Sequence, residues 1–245
     1  HELGYWSWMD GVIDPPVTYV GGLAEAVTVT PSYFNAMGWT GPQARGRMGG
    51  TTYLETFKVA LEHKPRVIFL HQWQEYSGQL EGDGRGPDCN IYTDTYSVEL
   101  SDDLEPVSLT ASGYRGDRGG WGFYYLNLTQ ALMHLYRGLA GDSTILAVGH
   151  PVHNQKVEGS ILNVSWSAIG KSPLGYSILV DGLDILRGCI GDATEIPIAD
   201  LSKGMHTLTV LAEGAVTRYP LSMTEVDKPL ATPIPVKVDV VFEVV

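Results

Sequence analysis

The chain has 245 residues, enough for one large or two modest domains, and 44% of them are hydrophobic and 18% charged, as in folded globular proteins. Its formal net charge of −12 argues against the basic surface that nucleic acids and anionic membranes attract. The sequence has no apolar run long enough to cross a bilayer. We therefore expect a globular protein with no nucleic-acid partner and no membrane-inserted segment.

The first part of the chain, residues 1–140, has the alternation of strands and helices that is typical of α/β domains. Residues 3–9 and 26–34 are predicted strands. Thr51–His63 is a predicted helix, because Leu54, Phe57 and Leu61 fall on one helical face and Pro65 follows. The strand predicted directly after it, over 66–73, gives the helix-to-strand joint of a parallel fold.

The run Val67–Leu70 within that strand is continuously apolar, which predicts a fully buried parallel strand. A second helix is predicted over residues 121–137, where Gly138 stands in a C-cap position. A complete (β/α)8 barrel needs about 250 residues and eight strands. Residues 1–140 therefore predict the C-terminal part of such a barrel, with its N-terminal half cut away or carried by another chain. A smaller self-contained α/β domain is the alternative.

The second part of the chain, residues 155–245, has short strand-like runs separated by turn residues at regular spacing. Asp181-Gly182 is a hairpin signal between two such runs. This pattern predicts an immunoglobulin-like β-sandwich with a structural role. Gly141-Asp142 and Gly149-His150-Pro151 interrupt the pattern before it, so residues 141–154 are predicted to be a linker. The predicted strands are 161–168, 176–180, 194–197, 206–212 and 236–245.

Polar and aromatic side chains follow the buried run at once, and in a barrel this strand end is where the chemistry lies. Glu75 is the best single candidate for a catalytic residue, because an aromatic and partly desolvated setting raises a carboxyl pKa and suits a general acid. The alternative is a core strand followed by an ordinary solvated loop. The residues of this predicted sugar site are His71, Gln72, Trp73, Glu75 and Tyr76.

Hydrolysis of a glycosidic bond usually needs a second carboxylate. Asp10 closes the first predicted strand and would lie at the same end of a barrel, so we take it as the second catalytic candidate. The sequence does not choose between Asp10 and other acids, each of which also fits a solvated loop position. The other candidates are Glu25, Asp94, Glu99 and Glu105.

Several aromatic residues are predicted to stack on sugar rings, whose C–H faces suit aromatic surfaces. About half of them are expected to be core residues instead, and Trp121, at the start of a helix, is expected to pack. The predicted stacking residues are Trp6, Trp8, Tyr33, Trp39, Trp73 and Tyr76.

Metal and cofactor signals are sparse. Residues 81–88 are rich in the oxygen ligands that Ca²⁺ prefers but lack the EF-hand order, so a flexible loop is the alternative to a structural calcium site. Cys89 and Cys189 have no metal-ligand spacing and a disulfide between them is not expected. We expect no cofactor.

The strand end resembles the Trp-Asn-Glu-Trp-x-Glu-Gly motif of the endo-α-mannosidase-like glycoside hydrolases, family 99 and its bacterial relatives. Aligning Trp73 with the second tryptophan of the motif places His71 at the asparagine, Gln72 at the first glutamate and Glu75 at the second. Residues 124–129 look like the closing helix of these barrels. The resemblance covers about 60 to 80 residues of the chain.

That resemblance implies a glycoside hydrolase acting on an oligosaccharide or polysaccharide. The family uses two glutamates, one as a base on the sugar 2-hydroxyl and one as acid/base at the leaving oxygen. Gln72 departs from the pattern, since an amide is not a base, and Glu75 alone carries over as acid/base. The alternative is a non-catalytic carbohydrate-binding or scaffold protein with a degenerate barrel site. We expect a secreted, periplasmic or cell-surface location, with the signal outside this sequence.

Overall fold

The fold is mostly β-structure with two helices, as seen in a computed structural model that describes residues 13–32, 45–74, 98–99, 101–110 and 119–245. The strands form one sheet of five strands and two sheets of three. The helices are α1, Thr51–His63, and α2, Tyr124–Tyr136. The strands are β1 Thr18–Val20, β2 Leu23–Val29, β3 Val67–Leu70, β4 Thr144–His150, β5 Gln155–Val157, β6 Ile161–Gly170, β7 Gly175–Val180, β8 Leu183–Cys189, β9 Ala193–Pro197, β10 Gly204–Thr217 and β11 Ile234–Val244.

Strands β2 and β3 with helix α1 form one parallel βαβ unit, in which Ala26 lies opposite Val67 and Val29 opposite Leu70. Strand β1 adds to the other edge of β2 in antiparallel direction. The predicted helix over Thr51–His63 is confirmed, and it ends where Lys64 adopts a left-handed conformation and donates its N–H to Ala60 O at 3.0 Å. The described residues contain this one βαβ unit, and they do not show the predicted (β/α)8 barrel part.

Strand β3 is less buried than its apolar sequence predicted. Val67 is 48% exposed, and Ile68 to Leu70 are half-buried. Within the described chain β3 pairs with β2 alone and is an edge strand, so the burial on both sides that an internal parallel strand has is missing here. Strand β2 also differs from its predicted bounds of 26–34, since it begins at Leu23 and ends at Val29.

The second part of the chain is a β-sandwich. The five-stranded sheet β5-β11-β10-β7-β8 packs on the three-stranded sheet β4-β6-β9, and both contribute to one apolar core. Trp166 of β6 and Phe242 of β11 are among its buried side chains. The predicted hairpin is present, with positive φ at both Asp181 and Gly182, as a two-residue type I′ loop requires.

The linker predicted over residues 141–154 contains strand β4 instead. Its residues 144–149 are buried, and they alternate between two cores: Ile145 and Ala147 face the helices, while Leu146 and Val148 face the sandwich. Gly141 precedes this strand and Gly149 lies within it, so neither glycine interrupts it. Strand β4 therefore joins the two parts of the molecule through packing on both of its faces.

His206 forms a charge-dependent contact within the sandwich. Its Nδ1 lies 2.7 Å from the Asp181 carboxylate and its Nε2 lies 2.7 Å from Ser202 O, so both ring nitrogens face acceptors. An imidazolium donates from both nitrogens. The hydrogen bond with Asp181 and the one with Ser202 raise the pKa of His206, and the hydrogen bond with His206 lowers the pKa of Asp181.

We predict that His206→Gln lowers the melting temperature most at acidic to neutral pH. A raised pKa in the folded state stabilises the fold below the ordinary histidine pKa of 6.5, and this stabilisation disappears as the pH rises through the folded value. The Asp181 contribution is lost as the pH falls through its lowered pKa. Burial lowers the pKa of His153, so His153→Gln serves as a control of opposite slope. A difference between wild type and His206→Gln that does not change with pH would contradict this prediction.

Candidate functional site

The candidate site lies at the carboxyl edge of the parallel strands β2 and β3. The backbone N–H of His71 continues the pairing by donating to Val29 O at 2.9 Å. The His71 side chain is buried, Gln72 is half-buried and Trp73 is 51% exposed. The structure thus brings these three predicted residues to one edge, with the imidazole inside and the indole outside.

A second segment, residues 101–105, runs along residues 71–73. Gln72 N–H donates to Asp102 O at 3.2 Å, Leu104 N–H donates to Gln72 O at 2.8 Å, and Glu105 N–H donates to Trp73 O at 2.7 Å. These bonds satisfy backbone groups that a strand end would otherwise expose. The position of Trp73 therefore depends on a segment about 30 residues further along the chain.

Asp102 places a carboxylate inside this edge, and its exposure is 0%. Its Oδ1 accepts from Gln72 Nε2 at 3.4 Å, and its Oδ2 lies 3.4 Å from His71 Nε2. Burying a carboxylate is costly unless polar partners surround it. The carboxylate is therefore held between the two side chains that precede Trp73.

Arg47 lies behind Asp102 and is also buried. Its guanidinium carbon lies 3.7 Å from the ring centre of Trp121 and 4.3 Å from that of Tyr125, which is cation–π geometry on two faces. Burial lowers the pKa of Arg47 from its usual value, against the opposing effects of Tyr125, Asp102 and Asp103. Trp121 packs as predicted, although α2 begins at Tyr124 rather than at residue 121.

The Glu99 carboxylate accepts a hydrogen bond from the backbone of the segment that precedes α1. Met48 N–H donates to its Oε1 at 2.6 Å. Burial raises the pKa of Glu99, and the Met48 hydrogen bond and the Arg47 charge oppose that rise. A Cβ at Gly46 would meet Glu99 Oε1 at 2.5 Å, so a residue without a side chain is needed for this approach.

Three of the predicted acids, Glu25, Glu99 and Glu105, lie within the described residues. Glu99 and Glu105 lie near the site edge, where Trp121 Nε1–H donates to Glu105 O at 2.7 Å. Glu25 lies near the start of β2, at the opposite end of the sheet. The remaining predictions, for Glu75, Asp10, Asp94, Trp6, Trp8, Tyr33, Trp39, Tyr76, the 3–9 strand and the 81–88 calcium loop, fall outside the described residues.

Sequence reasoning missed Arg47 and Asp102. Both residues act through contacts with residues far away in the chain. Arg47 contacts Asp103 and Trp121, and Asp102 contacts His71. The one local signal was the acidic pair Asp102-Asp103 in a chain with only 18% charged residues. That signal does not distinguish a buried carboxylate from a solvated one.

Among the described residues, clefts open on the sandwich at two places that do not include His71, Gln72 or Trp73 in their lining. One, of about 280 Å³, lies at the β6–β7 turn beside Tyr176 and Cys189. The other, of about 500 Å³, includes Met48, His150 and Glu195 in its lining. Among the described residues no group of three or more His, Cys, Asp or Glu is placed to hold a metal ion, and no helix is long and apolar enough to cross a membrane.

The sequence matches no protein-family model and no curated protein. A fibronectin(III)-like module of CbhA from Clostridium thermocellum is 15% identical, over 41% of this chain and 94% of that chain, with a TM-score of 0.28. The FMN-binding β-glucuronidase from Facaelibacterium prausnitzii L2-6 is 11% identical, over 84% of this chain and 24% of that chain, with a TM-score of 0.36. A Bacteroides uniformis β-glucuronidase is 12% identical, over 79% and 18% of the two chains, with a TM-score of 0.32.

This chain therefore spans less than a quarter of each β-glucuronidase that it resembles. The TM-scores lie below the level at which two folds correspond, so they assign neither family nor activity. These comparisons do not support the predicted resemblance to endo-α-mannosidase-like hydrolases.

Proposed function

We propose that the carboxyl edge of β2 and β3 binds carbohydrate and that the protein is a glycoside hydrolase with Glu75 as its acid/base. The single observation that carries the proposal is Trp73, whose indole is 51% exposed beside the buried side chains of His71 and Asp102 and the half-buried side chain of Gln72. An exposed indole offers a flat face for a sugar ring, and fixed polar groups next to it give orientation. Glu75 follows Trp73 by two residues.

Within this proposal the second carboxylate is Asp10, with Glu105 as the alternative beside Trp73. Asp102 is not offered for that role, because its carboxylate is fully buried and does not reach a substrate. Tyr76, Trp8, Tyr33 and Trp39 are proposed to extend the sugar-binding surface. The βαβ unit is proposed to belong to a (β/α)8 barrel whose remaining strands lie outside the described residues or on another chain.

A second candidate function, carbohydrate binding without hydrolysis, is favoured by Gln72. Its amide nitrogen points to Asp102 at 3.4 Å, and an amide does not accept a proton as the family's glutamate does. In this case the edge keeps its binding groups and lacks a catalytic base. The two candidates share the same binding surface and differ in turnover.

We predict that Trp73→Ala lowers saccharide affinity by about tenfold, because an aromatic contact contributes about 0.5–1.5 kcal/mol beyond the area it buries. Titration calorimetry with α- and β-linked mannose and glucose oligosaccharides measures this. Tyr19→Ala is the matched control, since Tyr19 is also 51% exposed but lies on β1 at the other end of the sheet. Equal affinity in wild type and Trp73→Ala would place the sugar elsewhere.

An assay of reducing ends on the same panel separates the two candidates. Turnover by wild type supports the hydrolase. Saturable binding with no turnover supports the binding protein and rejects the hydrolase. A wild-type protein that neither binds nor cleaves any member of the panel would overturn both.

A further inference from the structure

Arg47 donates four hydrogen bonds to the segment that contains residues 98–99 and 101–103. Arg47 N–H donates to Glu99 O at 2.8 Å, and Arg47 Nε donates to Val98 O at 3.1 Å. Arg47 Nη2 donates to Ser101 Oγ at 3.3 Å and to Asp103 O at 2.5 Å. One buried side chain therefore binds the segment on both sides of Asp102.

Asp102 connects this segment to Gln72 and His71 at the edge of the sheet. Its backbone oxygen accepts from Gln72 N–H at 3.2 Å, and its carboxylate lies between Gln72 Nε2 and His71 Nε2. The next residues then bind Trp73 through its carbonyl oxygen, which accepts from Leu104 N–H at 3.0 Å and Glu105 N–H at 2.7 Å. Arg47 thus holds the segment whose Asp102 contacts His71 and Gln72 and whose Leu104 and Glu105 bind Trp73.

We propose that Arg47 and Asp102 are positioning residues of the carbohydrate site, which fix His71, Gln72 and Trp73 without contacting the sugar. This inference rests on the proposed function of the same edge. Both residues are buried, with exposures of 2% for Arg47 and 0% for Asp102, so their effect on a ligand passes through their neighbours.

Arginine is specifically suited to this position. A planar guanidinium stacks on Trp121 and Tyr125 while its edge donates in the plane to several acceptors. A lysine keeps the charge but has neither the flat face nor the fork of donors. Arg47→Lys therefore removes the geometry while retaining the charge, and Asp102→Asn removes the charge while retaining the shape.

The test compares Arg47→Lys and Asp102→Asn with wild type and with the control Arg45→Lys. Arg45 is two residues away and pairs with Glu55 at 2.8 Å on the helix side. We expect amide hydrogen exchange at Gln72 and Leu104 to quicken at least tenfold in both site variants, and saccharide affinity to fall at least tenfold. Exchange at Lys64, whose N–H binds Ala60 O, is expected to stay within twofold.

A purely structural role gives a different result. It would quicken exchange at Lys64 together with Gln72, or leave affinity unchanged once the variant is folded at the assay temperature. Either result overturns the positioning role, as does unchanged exchange at Gln72 and Leu104 in both variants. A wild-type protein that binds no saccharide overturns the proposed function and the positioning role with it. The exchange rates then still decide whether Arg47 and Asp102 fix the backbone at Gln72 and Leu104.

Discussion

Glu75→Gln is expected to reduce the rate of glycoside hydrolysis by about 10²- to 10⁴-fold, the usual contribution of a general acid or base. Glutamine has nearly the shape of glutamate, so the melting temperature should stay close to that of wild type. Saccharide affinity should also persist, because the proposed stacking residue Trp73 is unchanged. The measurement is kcat on the best substrate of the panel, with thermal melting as the folding control.

Glu25→Gln is the matched control for this prediction. It makes the same chemical change on β2, near the end of the sheet opposite His71. We expect its kcat to remain within about twofold of wild type, since no step of acid–base catalysis is assigned to it. A Glu75→Gln variant with full activity would remove Glu75 from the mechanism.

Asn127→Ala is expected to lower the free energy of unfolding by about 3 kcal/mol, at about 1 kcal/mol for each of three lost hydrogen bonds. The Asn127 side chain is buried on α2, and its Nδ2 donates to Ser222 O and to Glu225 O at 2.8 Å each. Its Oδ1 accepts from Asp227 N–H at 2.9 Å. This amide ties α2 to the connection between β10 and β11.

Gln130→Ala on the same helix is the control, and urea denaturation measures both variants. Gln130 Oε1 is buried and has no hydrogen-bond partner among the described residues, so its loss should cost less than about 1 kcal/mol. Equal destabilisation by the two variants would show that the effect comes from the helix and not from the Asn127 contacts.

Helix α1 could be predicted from the sequence to its last residue. Its signals are local: an apolar face at Leu54 and Phe57, both fully buried in the structure, and Pro65 just beyond its end. The signal for the hairpin at Asp181-Gly182 is equally local, because a turn with positive φ at both positions favours these residue types. Such elements are decided by neighbours within a few residues.

Strand β4 was missed because two glycine-containing turns around it suggested a linker. The run Ile145 to Val148 carries the signal of a strand buried on both faces, but the sequence does not say that helices lie on one side and a second sheet on the other. Strand β3 shows the opposite error. Its apolar run predicted complete burial, but within the described residues it pairs with β2 alone, and Val67 is 48% exposed.

The candidate site could be predicted only for the residues that follow β3 directly. The placement of His71, Gln72 and Trp73 at one sheet edge could be predicted because they directly follow a parallel strand, and their role in binding stays a prediction. Arg47 and Asp102 were not found, because they reach this edge through contacts across 56 and 31 positions of the chain, with Asp103 and His71 respectively. No local pattern encodes such pairings.

The measurement that tests the central claim most directly is a saccharide titration followed by NMR of the tryptophan indole N–H signals. We predict that the Trp73 signal shifts saturably with the oligosaccharide that binds best, while the signal of Trp166, buried in the sandwich core, stays in place. Trp73→Phe assigns the signal. Saturable binding that leaves the Trp73 signal unmoved, or that shifts only residues of the cleft beside His150 and Glu195, would contradict the claim that carbohydrate binds at the edge of β2 and β3.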